Sequence, residues 1–117
     1  MRIDVGTMHY KQLNEFIREQ EDANIDIANV YGQRYIGSSL RRKNIQIYGT
    51  PGNALGCYMN GAEITVYGNA QDAVGDTMNS GKIIIHGNCG DTAGYGMRGG
   101  EIFIKGNSGY RTGIHMK

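Results

Sequence analysis

From residue 44 onward the chain repeats itself every 19 residues, and that period limits the possible folds more than any other property. Blocks 44–62, 63–81, 82–100 and 101–117 align, the last cut short. One column holds Gly49, Gly68, Gly87 and Gly106; a second holds Gly56, Gly75, Gly94 and Gly113. A third holds Met59, Met78, Met97 and Met116, which leaves only two methionines elsewhere in the chain. Ahead of the first glycine column stand Ile45, Ile64, Ile83 and Ile102, followed two residues on by Ile47, Val66, Ile85 and Ile104. Residues 25–43 read as a worn copy: Ile25 and Ile27 match Ile45 and Ile47 at an offset of 20, and Gly37 matches Gly56 at 19.

A repeat built from a helical pair needs more than about 30 residues and strong helix formers. A leucine-rich repeat needs leucine, and only Leu13, Leu40 and Leu55 are present. This block instead offers one β-like run, Ile-x-Ile or Ile-x-Val, followed by glycine-rich corners. Strand, turn, strand, turn over 19 residues make one coil of a parallel β-helix, each coil rising about 4.8 Å above the last. Glycine suits corners because it accepts positive φ and close backbone approach. Repeated columns then become vertical stacks. The Ile, Ile/Val and Met columns are expected inside, joined by Leu55, Val74, Ala93 and Thr112. Tyr48, Tyr67, His86 and Lys105 are expected outside, and Asn69, Asn88 and Asn107 are expected to stack just past a corner, where side-chain amide ladders or left-handed backbone at Asn would suit.

Eighteen of the 19 glycines lie after residue 24. Residues 1–24 read as a short extended segment and then a helix over about 8–21, with Leu13, Phe16 and Ile17 on one face and Thr7 as N-cap. This segment is expected to cap a single β-helix domain spanning 25–117. A single proline and the lack of a three-residue glycine period exclude collagen, and 39% apolar residues at net charge +1 argue against disorder. No apolar run approaches a membrane-spanning length and no signal-peptide core is present. Balanced charge gives no reason to expect nucleic acid or a membrane surface. Two cysteines, Cys57 and Cys89, are too few for a disulfide scaffold, so a reduced cytoplasmic setting is expected.

Chemistry is sparse. Gly94-Tyr-Gly96-Met-Arg-Gly99 is a literal G-x-G-x-x-G, but a strand-like run follows it where a dinucleotide fingerprint opens a helix. The Met column would suit a soft metal, yet no Cys or His column accompanies it, and core filling explains it. His9, His86 and His115 share no column, and the cysteines lack C-x-x-C spacing. Asp72 and Asp91 fall one coil apart and read as turn aspartates accepting backbone N–H groups, ahead of a calcium or general-acid pair. Arg41-Arg42-Lys43 reads as a solvated turn. No catalytic residue, cofactor site or metal site is expected in this chain.

Several strings together resemble a known family. They are Gly32-Gln-Arg-Tyr-Ile-Gly37, Ile45-Gln-Ile-Tyr-Gly49-Thr-Pro-Gly52-Asn, Gly68-Asn-Ala-Gln-Asp-Ala-Val-Gly75-Asp-Thr-Met-Asn, Gly90-Asp-Thr-Ala-Gly94-Tyr-Gly-Met-Arg-Gly-Gly100 and Gly109-Tyr-Arg-Thr-Gly-Ile-His-Met116. From about Tyr10 to the last residue the chain is similar to the glycine-repeat (GXGXG) domain of glutamate synthase, above all its stand-alone form. A scaffold subunit of formylmethanofuran dehydrogenase shares the repeat with a poorer match. The resemblance implies a single-stranded right-handed parallel β-helix. It implies a non-catalytic scaffold holding a glutaminase and an FMN-dependent synthase in place for ammonia transfer during glutamate synthesis. FMN and iron–sulfur clusters would belong to those partners only. An independent binding or regulatory β-helix is the alternative. The family domain usually has more coils, so a short form or a fragment is the expectation for this chain. Its terminal coil carries no polar cap sequence and is expected to pack end to end on another copy or subunit. Gln33, Arg34, Arg98, Tyr110, Arg111 and His115 are the candidate partner-facing residues.

Overall fold

The computed structural model describes residues 1–107. Six strands form one sheet in chain order: β1 (Arg2–Asp4), β2 (Asn24–Tyr31), β3 (Asn44–Thr50), β4 (Asn60–Tyr67), β5 (Ser80–Ile85) and β6 (Glu101–Ile104). Every neighbouring pair is parallel. A parallel neighbour next in sequence requires the chain to travel round and return, and it does so as a β-solenoid of about 4 turns with about 19 residues each. The register follows the sequence columns: Ile45↔Ile64, Ile64↔Ile83 and Ile83↔Ile102 are Cα partners. The worn first coil has a simple cause. Ile25↔Ile45 and Ile27↔Ile47 pair at 20, and the pairing then shifts between Ala28 and Val30 so that Val30 opposes Gly49. The extra residue is Asn29, a bulge with φ 55 whose side chain donates to the Asp4 carboxylate at 2.8 Å.

The core is the stacked columns themselves. Ile45, Ile64, Ile83, Ile47, Val66, Ile85, Leu55, Val74, Ala93, Met59 and Met78 are fully buried, and Met97 nearly so. Met116 and Thr112 lie outside the described residues.

The two glycine columns serve different ends. Gly87 donates to the Gly68 carbonyl and Gly106 to the Gly87 carbonyl, so these backbones touch; a Cβ on Gly68, Gly87 or Gly106 would sit 2.5 Å from the carbonyl oxygen one coil back. In the other column, Gly56 and Gly75 have φ of +68 and +67. A Cβ there would fall 2.6 Å and 2.5 Å from Cδ1 of Ile83 and Ile102, each on a later coil. Each glycine is thus the notch that receives an isoleucine.

Positive φ is not confined to glycine at the corners. Tyr35, Ala54, Ala73 and Thr92 form one left-handed column and Ser39, Tyr58, Thr77 and Gly96 another. Coil-to-coil hydrogen bonds hold these non-glycine residues in place: Tyr35 donates to the Asn53 carbonyl, Ala54 to Asp72 and Ala73 to Asp91.

Helix α1 (Tyr10–Glu19) is shorter than the sequence pattern suggests and starts later. Thr7 is not its cap. Met8 donates to the Val5 carbonyl, which holds the chain in a turn past Thr7, and His9 caps instead, its Nδ1 accepting from the Lys11 N–H at 3.2 Å. Leu13 and Ile17 are buried in the same core as the strands, and Phe16 is half-buried.

Candidate functional site

Strand alternation turns Ile45, Ile47 and their equivalents inward, and therefore turns their neighbours outward. Three outward columns result. Pairing in β4, β5 and β6 aligns Glu63, Lys82 and Glu101 in the first, and Thr65, Ile84 and Phe103 in the second. The third contains Tyr48, Tyr67 and His86, whose rings stack one per coil. Tyr48 and Tyr67 lie 5.0 Å apart at 12°, and Tyr67 and His86 4.8 Å apart at 15°. The Arg2 guanidinium closes one end, 5.3 Å from the Tyr48 ring centre. At the other end Tyr67, Ile84, His86, Phe103 and Lys105 border a depression of about 590 Å³. Phe103 is 46% exposed and Tyr67 44%.

The corner face carries side-chain ladders. The Asn88 N–H donates to the Asn69 amide oxygen at 2.8 Å and the Asn107 N–H to that of Asn88 at 2.9 Å. Beside them the Asp72 N–H donates to the Asn53 amide oxygen, and the Asp91 N–H to the Asp72 carboxylate at 2.8 Å. Asp72 and Asp91 are therefore rungs of the coil-to-coil bonding.

Of the candidate partner-facing residues, Arg34 is exposed, its guanidinium 4.9 Å from the Tyr10 ring centre and 5.7 Å from that of Tyr35. Arg98 is exposed, directly after Met97 and ahead of strand β6. Gln33 is not a surface residue: only 8% of it is exposed. Its amide oxygen accepts from the Tyr31 N–H, and its NH₂ donates to the Gly6 and Met8 carbonyls. A polar residue tied to three backbone groups binds the N-terminal segment to the first coil. Tyr110, Arg111, His115 and Gly113 lie outside the described residues.

Among the described residues no three His, Cys, Asp or Glu side chains gather to hold a metal, and no helix is long and apolar enough to cross a membrane. Both cysteines are buried, and desolvation raises both thiols, Cys89 to about 11. Neither is a thiolate at neutral pH, so neither is an activated nucleophile. Gly94 and Gly96 lie in turns at φ 77 and 67, and strand β6 follows them, so the G-x-G-x-x-G string opens no helix.

A family model described as the GXGXG motif matches residues 10–117. The chain belongs to the GXGXG family. That family is the glycine-repeat domain of glutamate synthase. A relative of this GXGXG chain is the uncharacterized protein MJ1350 of Methanocaldococcus jannaschii, 48% identical over 66 residues. The match covers half of this chain and a quarter of that protein, so the aligned part is a small portion of the relative's length. No solved structure matches at a comparable level.

The repeat register that marks a GXGXG chain also masks its surface. The glycine columns mark the corners, whereas Ile84 and Phe103 sit between core positions of the repeat. Their signal is the loss of alternation: Asn44-Ile-Gln-Ile-Tyr and Glu63-Ile-Thr-Val-Tyr give way to Ile83-Ile-Ile and Ile102-Phe-Ile.

Proposed function

We propose that this GXGXG chain is the non-catalytic β-helix module of a glutamate synthase-related system. In that role it holds a glutaminase module and an FMN-dependent synthase module in a geometry that lets ammonia pass between them. One observation supports the reading: a family match running from Tyr10 to the last residue falls on a chain whose described part is a β-solenoid of stacked coils. A solenoid fixes its surface residues on a stiff ruler with one rung per coil, which suits positioning more than chemistry. Flavin and iron–sulfur chemistry would reside in the partners. Arg34 and Arg98, both exposed, are the described contact candidates, joined by Tyr110, Arg111 and His115 from the sequence.

Affinity capture of the tagged chain from native extract, followed by mass spectrometry, tests this. A glutaminase and a flavoprotein synthase should co-purify, and Arg34→Glu with Arg98→Glu should deplete both while the fold stays intact. Recovery of neither partner, or flavin or glutaminase activity in the isolated chain, would contradict the reading.

A further inference from the structure

We propose that the outward sheet face over β4, β5 and β6 is the seat of a second copy of this chain, in a two-fold dimer whose coils run in the same direction. Parallel strands covered on both faces read as unbroken apolar runs, whereas strands wetted on one face alternate. Strands β3 and β4 alternate; β5 and β6 do not, and Ile84 and Phe103 are the residues that break the pattern. Burial of Ile83 and Ile85 within the solenoid already accounts for one face of these strands. The second face, with Phe103 at 46% exposure beside a depression of about 590 Å³, has the composition of a covered one.

Charge selects the occupant and its direction. The apolar column Thr65, Ile84, Phe103 runs between Glu63, Lys82, Glu101 on one side and Tyr67, His86, Lys105 on the other. Among the described residues the one ion pair is the N-terminal amine with Asp22, so neither Glu101 nor Lys105 is held in an ion pair with another described residue. A two-fold axis laid along the apolar column exchanges the flanking columns. Glu101 of one copy then meets Lys105 of the other twice, Glu63 meets the Tyr67 hydroxyl, and Lys82 meets the His86 ring. Turning the second copy end for end would set Glu63 against Glu101 and Lys82 against Lys82, a like-charge arrangement that is disfavoured. The face is self-complementary in only one of the two orientations, as an isologous interface requires. Sheets packed in this way lie about 10 Å apart, within reach of a Glu–Lys pair at the rim.

Sedimentation equilibrium of the full chain over a concentration series tests the proposal without any partner module, so its outcome is separable from that of the scaffold reading. The wild type should fit a monomer–dimer equilibrium. Phe103→Glu should weaken dimerisation at least about 30-fold, the effect of losing a central anchor. Phe103→Thr, which keeps strand propensity, must give a loss of the same kind if the Glu variant misfolds. Glu101→Lys should weaken the dimer, and adding Lys105→Glu in the same chain should restore it. A wild type that stays monomeric throughout, a dimer indifferent to Phe103, or a double charge swap that fails to recover would each overturn the proposal.

Discussion

The first coil and the coils after it solve one problem by different means. In the repeating coils, each turn's backbone is satisfied by its neighbour: Gly56 donates to the Ile36 carbonyl, Gly75 to Leu55 and Gly94 to Val74. Gly37 stands in the same column with no earlier coil to receive its N–H. The Asn14 side chain, rooted in α1, accepts that bond at 3.1 Å, and its NH₂ donates to the Tyr10 and Arg34 carbonyls. Lys43 donates to the Gln20 and Asp22 carbonyls, and Gln33 closes the Gly6 to Met8 segment. Asn14 and Gln33 are the two buried polar side chains among the described residues, and both stand where a preceding coil would have been. The repeating coils pass their bonding on through backbone groups and exposed Asn and Asp rungs, whereas the end must commit buried amides to stop the propagation.

This contrast can be broken from either side. The largest effect is expected in the repeat. Gly75→Ala adds a Cβ 2.5 Å from Ile102 Cδ1 at φ +67. Left-handed strain and overpacking together should cost about 2–5 kcal/mol by denaturant unfolding. Adding Ile102→Val, which removes the clashing methyl, should return the packing part and leave the strain. Next comes the cap. Asn14→Ala strands the Gly37 N–H in a buried site and should cost about 1–3 kcal/mol. Hydrogen exchange should localise that loss to residues 32–43 and spare 60–85, because later coils do not depend on α1. A smaller gain of about 1 kcal/mol is expected for Ala73→Gly, which relieves a left-handed alanine at φ 59.

The smallest effect is set by pH. The Cys89 thiol is raised from 9.0 to about 11, chiefly by burial, so the folded chain keeps its proton where the unfolded chain has lost it. Its contribution is complete below pH 9 and is lost as pH climbs toward 11. Thermal unfolding across that window should show a decline that is shallower in Cys89→Ala.

The repeat made the solenoid legible because 19-residue columns are a property of sequence and stacking at once. The Asn and Asp ladders followed from the same register. What stayed hidden depended on contacts between unlike segments. Gln33 reads as a polar residue in a glycine-rich turn, and only its three backbone partners explain its burial. The cap at His9 depended on a turn between Val5 and Met8 that Thr7, a better capping residue, gives no hint of. Left-handed alanines and tyrosines are invisible to a reading that assigns positive φ to glycine, since coil-to-coil bonding overrides the local preference. On the sheet face, Ile84 and Phe103 lie between columns expected inside, but no glycine or core column of the repeat marks them, and Phe103 shows as an exposed apolar residue only in the structure.

Residues 19 apart lie directly over one another in a buried file, and the scaffold, its cap and its outer face all depend on that stacking. Isoleucine-δ1 and methionine-ε methyl labelling with NOE spectroscopy measures it in solution. Stacked coils require a chain of cross-peaks linking Ile45 to Ile64, Ile64 to Ile83 and Ile83 to Ile102, with Met59, Met78 and Met97 linked in the same order. Strong contacts at separations other than one coil, or an absence of contacts between successive members of the isoleucine file, would contradict it.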